Sequence, residues 1–475
     1  MVDPSSSIQV GSIMKPLLCQ NEFSSLLGGP GGSGAMKAYW NGRQIQTIAD
    51  PHISPKFTAI EQLGSKLGSK DGMYFDIIGF DPRGIGHSTP KLECFPSYLA
   101  RQYWVIQSKA EGILGSSDIA FDMKWARWQS LATACMERIA EEGEDSIAYH
   151  MNTTPLVADM IALLERHGEW RETQARAWLS TFTGRFQTLF RHSSHISSRQ
   201  AILERCRWRR GQEKIMYWGV SYGTIIGQMF ASMHPERISR FVLDGVILTS
   251  DYFSGNWASN IQRADAAFDK FFDYCCQSGS KHCPFYAEED SQSIKLRYYE
   301  LLSSLKRNPI TVPASNTRSP DVITSSDVMS RVKYALYCPL QSYPPLAQLL
   351  ADLSTNNGSL MANLKQAGVQ PFHPPDKCKH DGPFSIACQI PYGWEDEASV
   401  GIHCSDAESS NSTTRESFKQ YADLLTNQSR VMGPTWAEIR MSCIGWKTRP
   451  KWRYNGKVIF PCFGIQILTA ISRSV

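Results

Sequence analysis

The chain has little charge of either sign to spare. Its formal net charge is +4 over 475 residues, which gives no reason to expect a nucleic-acid partner. The one basic run, Arg205-Cys206-Arg207-Trp208-Arg209-Arg210, holds a single aromatic and reads as a solvated helix end rather than a phosphate-binding strip. There is no run of about 18 apolar residues, so no membrane-spanning helix is expected. Met1-Val2-Asp3-Pro4-Ser5 lacks the basic flank and apolar core of a signal peptide. Zinc spacing is also missing. Cys378-Lys379-His380 and His403-Cys404 set His beside Cys, but neither pair falls into a ligand pattern, so no metal or other cofactor is expected. Finally, Val458 to Val475 contains no Asp, no Glu and no His.

What is present supports a large core. Hydrophobic residues make up 42% of the chain, with 13 Trp. Length alone would allow two or three domains. The 13 cysteines cluster, as at Cys275, Cys276 and Cys283 and again at Cys378, Cys388 and Cys404. That density suggests disulfides and an oxidising, secreted or endomembrane setting. Glycosylation triplets occur at Asn152-Thr153-Thr154, Asn357-Gly358-Ser359, Asn411-Ser412-Thr413 and Asn427-Gln428-Ser429.

Three segments carry chemistry. In Tyr217-Trp218-Gly219-Val220-Ser221-Tyr222-Gly223-Thr224, a Gly-x-Ser-x-Gly pattern follows a buried-strand pattern over Lys214 to Trp218. It precedes a helix pattern over Thr224 to Met233. A serine on a sharp strand-to-helix turn projects its hydroxyl into a cleft, and Gly219 and Gly223 relieve crowding there. Upstream, Gly28-Gly29-Pro30-Gly31-Gly32-Ser33-Gly34 follows the short apolar segment Phe23 to Leu27. Between them, Tyr74-Phe75-Asp76-Ile77-Ile78-Gly79-Phe80 runs into Asp81-Pro82-Arg83-Gly84. The glycine loop also fits Gly-x-Gly-x-x-Gly, a dinucleotide fingerprint. Pro30, the short strand and the lack of a clear following helix argue against that reading. Further on, Thr154-Pro155 starts a helix, with Gly168 just past its end, and residues 171 to 212 read as polar and Arg-rich.

These three motifs, in this order and with Phe241-Val242-Leu243-Asp244-Gly245-Val246 behind them, resemble the alpha/beta-hydrolase fold. More narrowly they resemble the tripeptidyl-aminopeptidase-like and prolyl-iminopeptidase-like branch of peptidase family S33. The wording is most like that of secreted fungal and actinobacterial members. The resemblance runs over roughly residues 23 to 455. It implies an α/β chain with a mostly parallel central sheet, helices on both faces and a large, mostly helical lid insertion. The core would span 23–249, the cysteine-bearing lid 250–445, and an incomplete C-terminal segment 446–475. Ser221 would be the nucleophile. The N–H groups of Gly31 or Gly32 and of Tyr222 would form the oxyanion hole. Asp81 and Arg83 would brace the site, Arg83 in an ion pair. The cysteine pairs Cys94 with Cys135 and Cys404 with Cys443 are implied as disulfides.

The implied substrate is a peptide N-terminus, or else a small acyl ester, thioester or amide. A free α-amino group needs carboxylates, and the lid offers Glu288-Glu289-Asp290 and Glu395-Asp396-Glu397. Trp257, Phe271, Phe272 and Tyr274 could line a pocket or fill the core. A triad also needs an acid and a histidine after the serine. Asp244 is a candidate acid, though a structural turn residue in this branch. His234, His282, His373, His380 and His403 follow Ser221, and none sits in a recognisable loop after a final strand. The expectation is a chain incomplete or mis-spliced at both ends, or else a catalytically inactive homologue.

Overall fold

Several helix starts in this chain are set by side chains that accept the first amides. In the computed structural model, which describes residues 29–49, 77–181, 203–204, 206–287, 290–367, 380, 396–410 and 412–456, α1 (Gly34–Ala49) opens on Ser33, whose Oγ accepts the Met36 N–H at 3.0 Å. Ser97 caps α2 (Tyr98–Ala110) through the Ala100 N–H. The helix α3 (Ala120–Glu142) follows, and a disulfide ties Cys135 on it to Cys94.

The chain divides into two compact units, residues 1–148 with 250–449 and residues 149–249 with 450–475. The second unit holds the strand-turn-helix. Its elements are α4 (Thr153–Thr181), β1 (Ile215–Val220), α5 (Tyr222–Met233) and β2 (Ile238–Asp244). β1 and β2 run parallel, with Gly219 opposite Leu243 and Val220 opposite Asp244. The apolar residues Leu156, Val157 and Met160 of α4 are buried, as are Ile225, Ile226, Met229 and Phe230 of α5.

α4 does not stop at Gly168. It continues to Thr181, so the expected helix end is corrected. The glycine serves packing: a Cβ there would meet the Trp208 ring at 2.5 Å. Trp208 is held by donating its ring N–H to Glu165 at 2.8 Å and its backbone N–H to Glu172 at 2.9 Å. Glu165 also accepts from the Gly211 N–H and pairs with Arg237. Burial disfavours its charge, yet these bonds outweigh burial and hold the carboxyl below its ordinary value.

The first unit is mostly helical beyond α3. It carries α6 (Thr249–Ser254), α7 (Ala264–His282), α8 (Ser291–Arg307), a short antiparallel pair β3 (Ile310–Val312) and β4 (Asp321–Ile323), then α9 (Ser325–Tyr337), α10 (Pro339–Ser354), α11 (Ser359–Ala367), α12 (Asp396–Asp406), α13 (Arg415–Gln428) and α14 (Gly433–Met441). Its core centres on Phe268, Phe271, Phe272, Phe285, Tyr298 and Phe418, all at most 2% exposed. Phe271 and Phe272 are therefore core, Trp257 is buried, and Tyr274 faces solvent. Disulfides join Cys275 to Cys283 and Cys404 to Cys443. Both pairs implied by the resemblance are thus present. No helix among the described residues is long and apolar enough to cross a membrane.

Candidate active site

Ser221 sits between the last residue of β1 and the first of α5, at φ 54 and ψ −120. A non-glycine residue in that region is strained by about 1–3 kcal/mol and needs surroundings that over-determine it. They are present. The Ser221 N–H donates to the Asp244 carbonyl at 2.9 Å, fixing the turn to the parallel neighbour strand. The Ser221 carbonyl accepts from the Thr224 N–H at 2.8 Å and from Thr224 Oγ1 at 2.7 Å. Thr224 Oγ1 in turn accepts the Ile247 N–H at 3.0 Å. Gln228 Nε2 donates to the Thr224 and Ile247 carbonyls, both at 3.0 Å. Thr224 and Gln228 are buried, so this lattice has no competing water at hand.

The glycines are explained by the same crossing. A Cβ on Gly219 would meet the Gly223 carbonyl oxygen at 2.4 Å and the Tyr217 ring at 2.6 Å. Tyr217 Oη donates to the Gly223 carbonyl at 2.7 Å, and burial pushes its phenol up. Ser221 makes no side-chain cap to its own helix. Its hydroxyl stands at the N-terminal end of α5, where the helix dipole favours negative charge. Tyr222 is buried, and its hydroxyl shares a hydrogen bond of 2.7 Å with Thr153. Its amide lies at the first helical position. Thr224, Gln228 and Tyr217 carried no sequence signal, because an interior polar residue in a helix or strand pattern looks like any other.

The glycine loop lies in the other unit. Gly31 has φ 110, which demands glycine, and a Cβ there would meet Ser399 of α12 at 3.2 Å. Gly32 follows it, partly exposed. The loop does lead into a helix, α1, against expectation. The anion position at that helix start is already filled. Asp81 Oδ1 accepts from Ser33 Oγ at 2.5 Å and from the Ala35 N–H at 3.1 Å. Its Oδ2 accepts the His87 N–H at 3.0 Å, and its carbonyl accepts from Ser88 Oγ at 2.6 Å. A protein carboxylate therefore stands where a dinucleotide pyrophosphate would need to bind. Asp81 is 7% exposed and ties the two loops together, and Arg83 is half-buried beside it in sequence. Gly34 and Phe80 pass so closely that a Cβ on Gly34 would meet the Phe80 carbonyl at 2.2 Å.

The remaining candidates have defined places. The Asp244 carboxylate is exposed, at the end of β2, while its carbonyl holds Ser221. His234 ends α5, a twelve-residue helix away from Ser221, about 18 Å by rise per residue. Its ring lies 3.8 Å from Glu236. His282 is exposed at the end of α7, and His380 is exposed. His403 is buried on α12, 2.9 Å from Ser442 Oγ. Burial pulls its imidazole down to about 4, against smaller opposing backbone hydrogen bonds. Beside it, His403, Cys404 and Cys443 place three ligand-type atoms together, but the two sulfurs are joined in a disulfide and are spent as thiolates. Glu397 is not a solvated acid. It is fully buried and paired with Arg101 at 2.8 Å. Asp290 caps α8 by accepting the Ser293 N–H at 2.7 Å. Glu288, Glu289, Glu395, His373, Cys378, Cys388 and the span 457–475 lie outside the described residues.

Comparison with known proteins agrees with this geometry. Residues 51–275 match the family described as alpha/beta hydrolase fold. The tripeptidyl aminopeptidase of Streptomyces lividans is 26% identical over 221 residues, covering 46% of this chain and 27% of that protein. Serine protease Hip1 of Mycobacterium tuberculosis is 27% identical over 296 residues, covering 61% of this chain and 45% of that protein. Carboxylesterase B of M. tuberculosis is 38% identical over 72 residues, 15% of this chain and 10% of that protein. The chain thus spans less than half the length of these relatives. With Ser221 at a strained strand-to-helix turn and a matching family span around it, the chain carries the alpha/beta-hydrolase fold.

Proposed function

We propose that this protein is a serine hydrolase acting on a peptide N-terminus, with Ser221 as its nucleophile. The observation that carries the reading is the backbone of Ser221, held at φ 54 by hydrogen bonds from two directions. Such strain is retained where a side chain must be presented in one direction. Ser221 Oγ would form an ester with the substrate acyl group as the amine leaves, and water would then release the acid. The oxyanion would be met by the Tyr222 amide and by an amide of Gly31 or Gly32. The tripeptidyl aminopeptidase name of the Streptomyces lividans relative supports an exopeptidase, and the serine protease name of the Mycobacterium tuberculosis relative supports a serine nucleophile. Core 23–249 and lid 250–445 remain the domain reading within it.

An ester substrate is the second reading, favoured by the 38% identity to the carboxylesterase over 72 residues. The base and acid of the triad are unassigned. Asp244 is the candidate acid nearest Ser221 in the sheet, opposite Val220.

A fluorophosphonate probe on the 475-residue chain tests the reading. Labelling that is lost in Ser221→Ala is expected. Absence of labelling on the folded protein would overturn it. Aminoacyl and tripeptidyl chromogenic amides against simple esters then separate the substrates, and cleavage of esters alone would sink the peptidase assignment.

A further inference from the structure

The glycosylation triplets are the sequence motifs that the hydrolase reading leaves unused, and the structure separates them. N-glycosylation adds a bulky hydrophilic group that only surface positions accommodate. At Asn152-Thr153-Thr154 every side chain is spent inside the fold. Asn152 Nδ2 donates to the Trp452 carbonyl at 3.0 Å, and Asn152 is 1% exposed. Thr153 shares its hydroxyl with Tyr222 at 2.7 Å, and Thr154 Oγ1 accepts the Tyr454 N–H at 3.0 Å. A glycan at Asn152 would break the tie to Trp452 and force the 451–454 segment away, so glycan and fold exclude each other there.

Asn357 is the opposite case. It is exposed in the turn between α10 and α11. Its Oδ1 accepts the Ser359 N–H at 3.1 Å, and its own N–H donates to the Asp352 carbonyl at 2.9 Å. The turn is seated from beneath: a Cβ on Gly358 would meet Val312 at 2.6 Å and Ile323 at 2.9 Å. Gly358 therefore faces the β3–β4 pair and Asn357 faces outward. Among the described residues no hydrogen bond uses Asn357 Nδ2, the atom that would carry the sugar. Asn427 is likewise exposed, on the last turn of α13. Its triplet partner Ser429 is fully buried, with Oγ donating to Asp265 at 2.5 Å. The triplet is read on the unfolded chain, where that hydroxyl is still available, and the finished fold leaves Asn427 in solvent. Asn411 lies outside the described residues.

We infer that the protein carries N-linked glycans on Asn357 and Asn427, and none on Asn152. The donor class is a lipid-linked oligosaccharide pyrophosphate, supplied by the secretory machinery. The amide nitrogen attacks the anomeric carbon, a C–N bond forms, the C–O bond to pyrophosphate breaks, and the amide proton passes to the transferase's base as the lipid pyrophosphate leaves. Three disulfides among the described residues fit an oxidising setting such as the secretory pathway, where that donor is used.

The test is to express the full chain behind a heterologous leader in a eukaryotic secretory host. Secreted and cell-retained protein are pooled and deglycosylated by peptide N-glycosidase in heavy-oxygen water, and the converted Asn positions are mapped by mass spectrometry. Labelled aspartate at 357 and 427, with unlabelled Asn152, is expected. Asn357→Gln and Ser359→Ala should each remove the mass of one glycan, the second without touching the asparagine, and Asn427→Gln should remove another. An unmodified Asn357 or Asn427 would overturn the inference, and so would a glycan on Asn152 in disulfide-bonded, protease-resistant protein. This outcome is independent of whether Ser221 is reactive.

Discussion

Ser221 concentrates the energetics of the site in one backbone. Its φ of 54 is a conformation that glycine adopts freely. Ser221→Ala keeps the strain, whereas Ser221→Gly relieves it. Both should abolish fluorophosphonate labelling, but in denaturant titration Ser221→Gly should be more stable than Ser221→Ala by about 1 kcal/mol. Equal stability would mean the turn is not strained. Gly219 gives the converse. Gly219→Ala drives a methyl into the Gly223 carbonyl and the Tyr217 ring, and should cost about 1–3 kcal/mol with loss of labelling.

At the scale of elements, Gly168 decides between two readings of α4. A mid-helix glycine replaced by alanine normally gains about 1 kcal/mol. Here the new Cβ meets Trp208 at 2.5 Å, so Gly168→Ala should lower the melting temperature instead. A rise would mean that Gly168 is an ordinary mid-helix glycine with room for a methyl group. The contact of α12 with α14 has a pH signature. His403 is held neutral, its imidazole pulled down to about 4 from an ordinary 6.5. The unfolded chain therefore binds the extra proton first as pH falls below about 6.5. Stability should drop from there down to about pH 4 and level off below it. The loss is on the order of 3 kcal/mol. His403→Gln should flatten that part of the stability–pH curve. An unchanged slope would remove His403 as its source.

For the whole molecule, the Cys404–Cys443 disulfide closes a loop of 39 residues around α13 and α14. Removing it as the double Ser variant should cost roughly 4 kcal/mol or less, read as a fall in the unfolding midpoint. No change would mean that the bond adds nothing to the packing of these helices. Within this body the two acidic clusters supply structural groups: Asp290 of the first caps a helix, and Glu397 of the second is a buried partner of Arg101.

The sequence by itself determined the elbow, the order of the three motifs and the mostly helical character of the stretch after β2. Each rests on local rules: glycine at a crowded turn, periodicity, and turn residues in short runs. It placed β1 and α5 within a residue or two of Ile215–Val220 and Tyr222–Met233. Only the tertiary structure decided that Gly168 packs under Trp208, that Asp81 fills the start of α1 through Ser33 and Ala35, and that Glu397 is paired. It alone separated a buried Asn152 from an exposed Asn357. These are contacts between residues far apart in the chain. Composition and spacing carry no term for them, because the partner that satisfies a buried polar group is chosen by packing, not by position along the sequence.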